Sequence, residues 1–401
     1  MKRRVVVTGM GILSPAGNGI PEFLNSLREG RPGYGPITSF DTANFPVKNA
    51  YEVKPFVPHV HGTHLLDPFI QYAVAAADEA LNHAHFDPSK YDPFETGIIV
   101  SSSKGGVRTL DRFSERFGRN PSAILGARIY CNSVPNFGTQ WIARKWKLQG
   151  PAKCYVVACA TGTVSILEGA RLVGDGAAEY CLAGASDASI TPLMMGAYKN
   201  MKALGDGPMR PFDARRSGFG VGEGAGVVFL ETLESARKRK AVIYAEVLGG
   251  AYGIDGYDPV HFDSEGDTLA RTMSFALKQS GASENEVDYI NLHGTATKLG
   301  DLYETNQLKK AFGKRAYEIS MSSTKSITGH MLGASGAVEI IASLLAMHHE
   351  FVPPTALLEE KDPACDLDYT PLKMRQAKIK TVLSYSMGFG GHVAAIVLRK
   401  V

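Results

Sequence analysis

Cys159 stands in CYVVACATGTVSILEGARLV, where a Val-rich apolar run meets Ala160, Thr161, Gly162 and Thr163 and a helical pattern begins. That context predicts a sharp strand-to-helix turn. A thiol there lies at the positive end of a helix dipole, where backbone N–H groups favour a thiolate. Small neighbours leave room for a substrate. The competing role is a small buried hydrophobe, the one expected of Cys131, Cys154, Cys181 and Cys365. His293 closes the apolar run of YINLHGTATKLGD, with Thr295 and Thr297 just beyond it. His330 lies in MSSTKSITGHMLGASGAVEIIASLL, after Lys325 and before the small residues Gly333 to Ala337. Either histidine alone would serve equally well as a structural hydrogen-bonding group. Glu339 falls within an apolar helical pattern. A buried carboxylate needs a partner, and Lys325 is the candidate. The segment YSMGFGGHV, Tyr385 to Val393, reads as a hairpin turn or as a loop that presents a backbone N–H to an oxyanion. One cysteine and two histidines in such contexts are a more specific signal than any of them alone, and they could support covalent catalysis.

The elements that must position these groups are short Val- and Ile-rich runs bounded by Gly, Ser or Asp: Arg4–Thr8, Thr96–Ser101, Cys154–Ala158, Glu179–Ala183, Ile243–Leu248, Tyr289–Leu292, Ile319–Ser322, Thr381–Ser384 and Ala394–Leu398. Such runs suit strands buried on both faces. Helical spacing lies between them at Leu66–Asn82, Thr268–Ser280 and Leu302–Phe312, and Val338–His348 is apolar almost all round. Strands alternating with helices predict an α/β fold. GIIVSSSKGG near residue 100 echoes EISMSSTKSITGH near residue 320, which suggests two similar halves divided near residue 245. The Gly-rich, charged stretch Gly205–Gly226 is expected to be an ordered surface loop.

The chain has 401 residues, 44% hydrophobic and 21% charged, with a net charge of +3. That balance points to no nucleic acid and no membrane surface. Five cysteines without CxxC spacing argue against a disulfide framework or a metal site, and fit a reducing, cytoplasmic setting. MKRRVVVTGMGILSP begins with basic residues, but its apolar run is too short for a signal peptide, and no window has the length of a membrane span.

The sequence resembles the elongating β-ketoacyl-[acyl carrier protein] synthases of the thiolase-fold condensing-enzyme superfamily, the type II bacterial form in particular. The resemblance covers essentially the whole chain, through RRVVVTGMGILSPAGN, FIQYAVAA, ACATG, RPFDARRSGFGVGEGAGVVFLE, NLHGTAT, SSTKSITGHMLGASGAVE and GFGG. It implies a thiolase-like five-layered α-β-α-β-α fold of two similar halves, here 1–245 with the nucleophile and 246–401 with two catalytic histidines. By motif, Cys159 matches the acyl-accepting nucleophile. His293 and His330 match the pair that binds the malonyl thioester and promotes decarboxylation. Lys325 matches the lysine that organises the site, Glu339 its buried partner, and Asp301 a supporting acid. The N–H groups of Cys159 and Phe389 would form the oxyanion hole, and Phe389 would gate the two half-reactions. Thr295 and Thr297 match threonines that hold the pantetheine arm, and Tyr198 is a further substrate-binding position. The implied chemistry is ping-pong, without metal or other cofactor, on substrates carried by the phosphopantetheine of an acyl carrier protein.

The chain departs from that pattern in four places. Lys104, in SSSKGG, replaces a small or aliphatic residue that tends to line the acyl pocket; it could shorten the pocket, favour a polar or polyene chain, or point to the subunit partner. GFGGHV places His392 and Val393 where the family has TN. The basic cluster expected before FIQY, which docks the carrier, reads HVHGTHLLDPF, leaving Arg119, Lys199 and Lys202 as alternatives. DPVHFD, Asp258–Asp263, lacks the hydroxyl groups expected beside pantetheine. Three assignments follow: a homodimeric fatty acid elongating synthase; the ketosynthase subunit of a type II polyketide or polyene system, paired with a chain-length-factor paralogue; and a non-catalytic chain-measuring partner. The last is disfavoured because Cys159 is present, and a thiolase because a second histidine stands where its second cysteine would be.

Overall fold

A computed structural model describes residues 3–56, 65–122 and 126–401. Residues 59–64, the HVHGTH part of the expected carrier-docking stretch, lie outside them. The strands that matter here are β1 (Val5–Ser14), β2 (Thr96–Ser101), β3 (Tyr180–Asp187), β4 (Gly224–Thr232), β5 (Ala245–Ile254), β6 (Tyr289–Asn291), β7 (Ser320–Ser322), β8 (Thr381–Gly388) and β9 (His392–Arg399). They hydrogen-bond in the order β7-β6-β8-β9-β5-β1-β4-β3-β2. The two halves meet at a short seam, where Val6 and Val7 of β1 pair with Glu246 and Ala245 of β5.

Outward from the seam the plan repeats. Each half has a long first strand, an antiparallel hairpin-like pair (β4 with β3, β9 with β8) and then a parallel strand (β2 or β6). The helices that position the site are α1 (Pro68–His83), α2 (Val107–Arg119), α3 (Phe137–Trp146), α4 (Thr161–Gly174), α5 (Thr268–Ser280), α6 (Lys298–Phe312) and α7 (Ser335–His349). Helices α1 and α3 cover one outer face, and α5 with α6 cover the other. Helices α4 and α7 pack on each other and on strands of both halves. This is the five-layered thiolase-like arrangement. The apolar pattern of Val338–His348 has its cause here, since every residue of α7 from Ser335 to Met347 is buried. The central helices approach closely because they meet through small residues. A Cβ on Gly162 would come within 2.5 Å of the Ala337 nitrogen.

Three expectations need correction. The echo between residues 100 and 320 joins non-equivalent strands: β2 corresponds in topology to β6, and β7 corresponds to the segment 152–157. That segment is not the expected strand Cys154–Ala158. It touches β2 through a single bridge, Ile98 with Ala152, and ends at Ala158 in a left-handed conformation, φ 45°. Last, Gly205–Gly226 is no surface loop. Met209, Phe212, Phe219 and Val221 are buried, as are Asp213 and Arg216, and its last residues begin β4, in which all nine residues are buried.

Candidate active site

Cys159 sits in a tight turn, Ala158–Ala160, immediately before α4. The Thr161 hydroxyl fastens the turn, donating to the Ala158 carbonyl at 2.7 Å and accepting from the Val157 N–H at 2.9 Å. The left-handed Ala158 costs about 1–3 kcal/mol. In exchange, the next residue is aimed away from the helix axis. Across from it, Gly388 ends β8, and a Cβ there would lie 2.8 Å from the Cys159 nitrogen. Only glycine lets the two backbones meet, and this brings the Phe389 N–H onto the Cys159 sulfur.

The thiol does not rest as a thiolate. Burial pushes Cys159 up to about 11, although Lys104 and, more weakly, Lys325 pull it down. In so closed a site the cost of burying charge opposes the helix end, the nearby donors and the cations. An attack by this sulfur would have to release that proton.

The two histidines face each other with ring centroids 5.4 Å apart at 88°. Lys325 donates from Nζ to His293 Nδ1 at 3.3 Å and forms a fully buried ion pair with Glu339. An ammonium has only protons to offer, so His293 Nδ1 is the acceptor and Nε2 carries the ring proton. His330 Nδ1 lies 3.1 Å from the Ser335 hydroxyl. With that hydroxyl donating, His330 has the same tautomer. Burial, reinforced by Lys325, holds both imidazoles well below the usual histidine range. The site therefore offers two neutral Nε2–H donors, which suit an oxyanion that forms and collapses within one cycle.

A cavity of about 450 Å³ has Cys159, His293, His330, Thr295, Thr297 and Phe389 in its wall. Lys325, Glu339 and Asp301 stand behind this wall, buried. Asp301 accepts from the Phe212 N–H at 2.7 Å and the Ala296 N–H at 3.0 Å, fixing the loop after His293; burial raises it to about 7. Tyr198 does not line the cavity. It is buried in the apolar cluster around Cys159, edge-on to Phe219, which is in turn edge-on to His330. Lys104 does not line the cavity either; it is half-buried, its backbone N–H reaches Asp187 at 3.3 Å, and its charge helps to lower both Cys159 and His330. His392 is paired across from Ile254 beside the glycine turn. Among the described residues no group of three or more His, Cys, Asp or Glu side chains could hold a metal ion.

Two supporting carboxylates escape the sequence reading. Glu304 accepts from the Gly294 N–H at 2.8 Å and the Tyr385 hydroxyl at 2.6 Å, and burial, then Asp301, raises it to about 8. Its signal was available: an acid three residues after Asp301 shares its helical face. Asp187 takes hydrogen bonds from Ser102, Ser103 and the Gly333 N–H, tying the end of β2 to the segment after His330.

Comparison with known proteins decides the family. The β-ketoacyl synthase N-terminal domain model matches residues 2–236, and the C-terminal domain model matches residues 244–359. The chain belongs to the β-ketoacyl synthase family. It is a condensing enzyme of the acyltransferase type. Similar proteins include a 3-oxoacyl-[acyl-carrier-protein] synthase 2 of Coxiella burnetii, 37% identical over 410 residues, covering 100% of this chain and 99% of that one. An oxytetracycline polyketide β-ketoacyl synthase of Streptomyces rimosus is 40% identical over 415 residues, covering 99% and 97%. Among solved structures, the ishigamide ketosynthase/chain length factor superposes with a TM-score of 0.95 at 33% identity, over 100% of both chains. A type II polyketide acyl-carrier protein in complex with its ketosynthase gives 0.91 at 30%, again over 100% of both. Among the described residues of this synthase, no helix is long and apolar enough to cross a membrane.

Proposed function

We propose that this protein catalyses decarboxylative Claisen condensation of malonyl-carrier with an acyl thioester held on Cys159, extending a fatty acid or polyketide chain by two carbons. The observation that carries this reading is one cavity that joins a backed thiol to two neutral imidazole donors. In the first half-reaction the Cys159 sulfur attacks the acyl carrier's thioester. The N–H groups of Cys159 and Phe389 receive the oxyanion, and the carrier thiol leaves with the proton. In the second, malonyl-carrier enters, and His293 and His330 hold its thioester oxygen through Nε2–H. Carbon dioxide departs, and the resulting enolate carbon attacks the Cys159 acyl group and releases the thiolate. Lys325, paired with Glu339, and Asp301 keep the histidines in place. Thr295 and Thr297 contact the pantetheine arm, Tyr198 supports the acyl side, and Phe389 separates the two steps. No metal or redox cofactor enters the balance. Five unpaired cysteines suit a reducing, cytoplasmic setting.

Lys104 bears on the acyl chain. An ammonium whose charge reaches the Cys159 thiol favours a short, oxygenated or polyene chain over a long saturated one, because a saturated chain would strip its water and return nothing.

The partner is an acyl carrier protein together with a second subunit, either another copy or a chain-length-factor paralogue. Two features support a subunit interface. Helix α2 has no buried residue and exposes Leu110 and Phe117, and the irregular edge 152–157 leaves Val156 59% exposed. The test is intact-mass spectrometry after incubation with a panel of acyl carriers, then malonyl-carrier. Acylation at Cys159 and a product two carbons longer support a self-sufficient enzyme. Acylation only with a co-expressed paralogue supports the heterodimer. No acylation under either condition overturns the reading.

A further inference from the structure

The backbone of His330 takes part in a small parallel arrangement outside the main sheet. Its N–H donates to the Gly220 carbonyl and its carbonyl accepts from the Gly222 N–H, both at 2.8 Å. On the far side of the same segment the Tyr51 N–H donates to the Val221 carbonyl at 2.9 Å. The Tyr51 carbonyl accepts from the Glu223 N–H at 3.2 Å. The segment 221–223 is thus held between Tyr51 and His330. Two glycines let these backbones approach. A Cβ on Gly222 would come 2.8 Å from the Thr328 carbonyl oxygen, and one on Gly329 would come 2.3 Å from the Tyr51 ring. With so little room on either side, a shift of the segment 221–223 moves His330 as well.

The Glu223 side chain anchors this segment, and it is only 2% exposed. Its Oε1 accepts from the Tyr72 hydroxyl at 3.0 Å and the Val53 N–H at 3.3 Å. Its Oε2 accepts from an Arg108 Nη at 2.9 Å. A carboxylate so enclosed needs a cation, and among the described residues Arg108 alone forms an ion pair with it. Burial pushes Glu223 up to about 7, and Arg108 is the strongest influence against that rise. Arg108 stands in the first turn of α2, the helix with no buried residue, and turns inward, where the same Nη reaches the Ile190 carbonyl at 3.4 Å. Neither Arg108 nor Glu223 lines the cavity that holds Cys159.

We propose that Arg108 is a positioning residue for decarboxylation: its ion pair with Glu223 fixes the segment 221–223 and, through it, His330. This rests on the condensation reading above, in which His330 serves decarboxylation and Cys159 takes the acyl group. The test measures two half-reactions on one protein, carbon dioxide release from malonyl-carrier and acylation of Cys159 by an acyl carrier. Arg108→Met keeps much of the side chain's bulk and removes its charge. It should lower decarboxylation about tenfold, because a misplacement of about 1 Å at a reacting group costs up to about 10²-fold. Acylation should change by less than about twofold. Arg108→Lys keeps a cation and should recover most of the loss. Glu223→Gln keeps the acceptor for Tyr72 but loses the ion pair, and should show the same selectivity; if Arg108→Met does not fold, this variant decides. An equal loss in both half-reactions, unchanged decarboxylation, or no recovery with Arg108→Lys overturns the proposal. A wild-type protein that performs neither half-reaction overturns the parent reading instead.

Discussion

Counted outward from the β1–β5 seam, the first half runs β1, β4, β3, β2 and then the segment 152–157; the second runs β5, β9, β8, β6 and β7. In both, the chain leaves the last position and enters a central helix, α4 or α7. In the first half it arrives as an irregular edge and turns through a left-handed Ala158, which raises Cys159 into the cavity. In the second it arrives as a regular buried strand and passes through Lys325 and His330 before its helix starts at Ser335. The same plan thus presents a thiol on one side and two imidazoles on the other. What separates them is the length of chain between the last strand and the central helix; both turns open on a left-handed residue, Ala158 at φ 45° and Leu332 at φ 50°.

If the halves divide the chemistry in this way, their variants should fail differently. Cys159→Ala should reduce acyl transfer by on the order of 10⁴-fold or more while malonyl decarboxylation persists. Retained acyl-enzyme by intact mass would remove the nucleophile from the first half. His293→Ala or His330→Ala should cost decarboxylation about 10²–10³-fold, with Cys159 still acylated. Unchanged carbon dioxide release from either variant would strike that residue from the donor pair. Since burial holds both imidazoles below the ordinary histidine range, the acid limb of the decarboxylation profile should lie below pH 6.5; a limb at or above that value would show charged rings. Lys104→Ile should shift the accepted acyl chains toward longer saturated ones, read from competition among carriers, and an unchanged profile would place Lys104 outside the pocket.

The smallest effect concerns stability. Burial raises Glu304 to about 8 and Asp301 to about 7, from the ordinary 4.5 and 3.8. Their contribution is fully present below the ordinary values and is lost as pH rises through the folded ones. Glu304→Gln should therefore flatten the fall of Tm between about pH 5 and 8. An unaltered slope, measured by thermal denaturation, would show that Glu304 is ionised in the fold.

The residues of the candidate site were legible because each stands at a change of pattern: an apolar run stopping at Cys159, His293 or Lys325. Helix Thr268–Ser280 was legible to the residue because its face is simply amphipathic. What escaped was set by tertiary packing. Strand β4 begins GAG, so its apolar run starts only at Val227 although all nine residues are buried. The loop before it looks solvent-exposed because its charges are numerous, yet Arg216 and Asp213 are buried with partners in distant segments. The state of the Cys159 thiol also depends on enclosure, which local sequence does not reveal.

The central pair α4 and α7 has a practical consequence. Each helix belongs by sequence to one half but is covered by strands of both. An isolated half, expressed from either side of the seam, would carry a helix with one apolar flank open to water, and two such fragments would need each other before either had a complete interior. The repeat is therefore visible in topology but absent as a separable module. A protease nick near residue 240 should leave two pieces that stay together and remain active, whereas the same pieces made apart should aggregate.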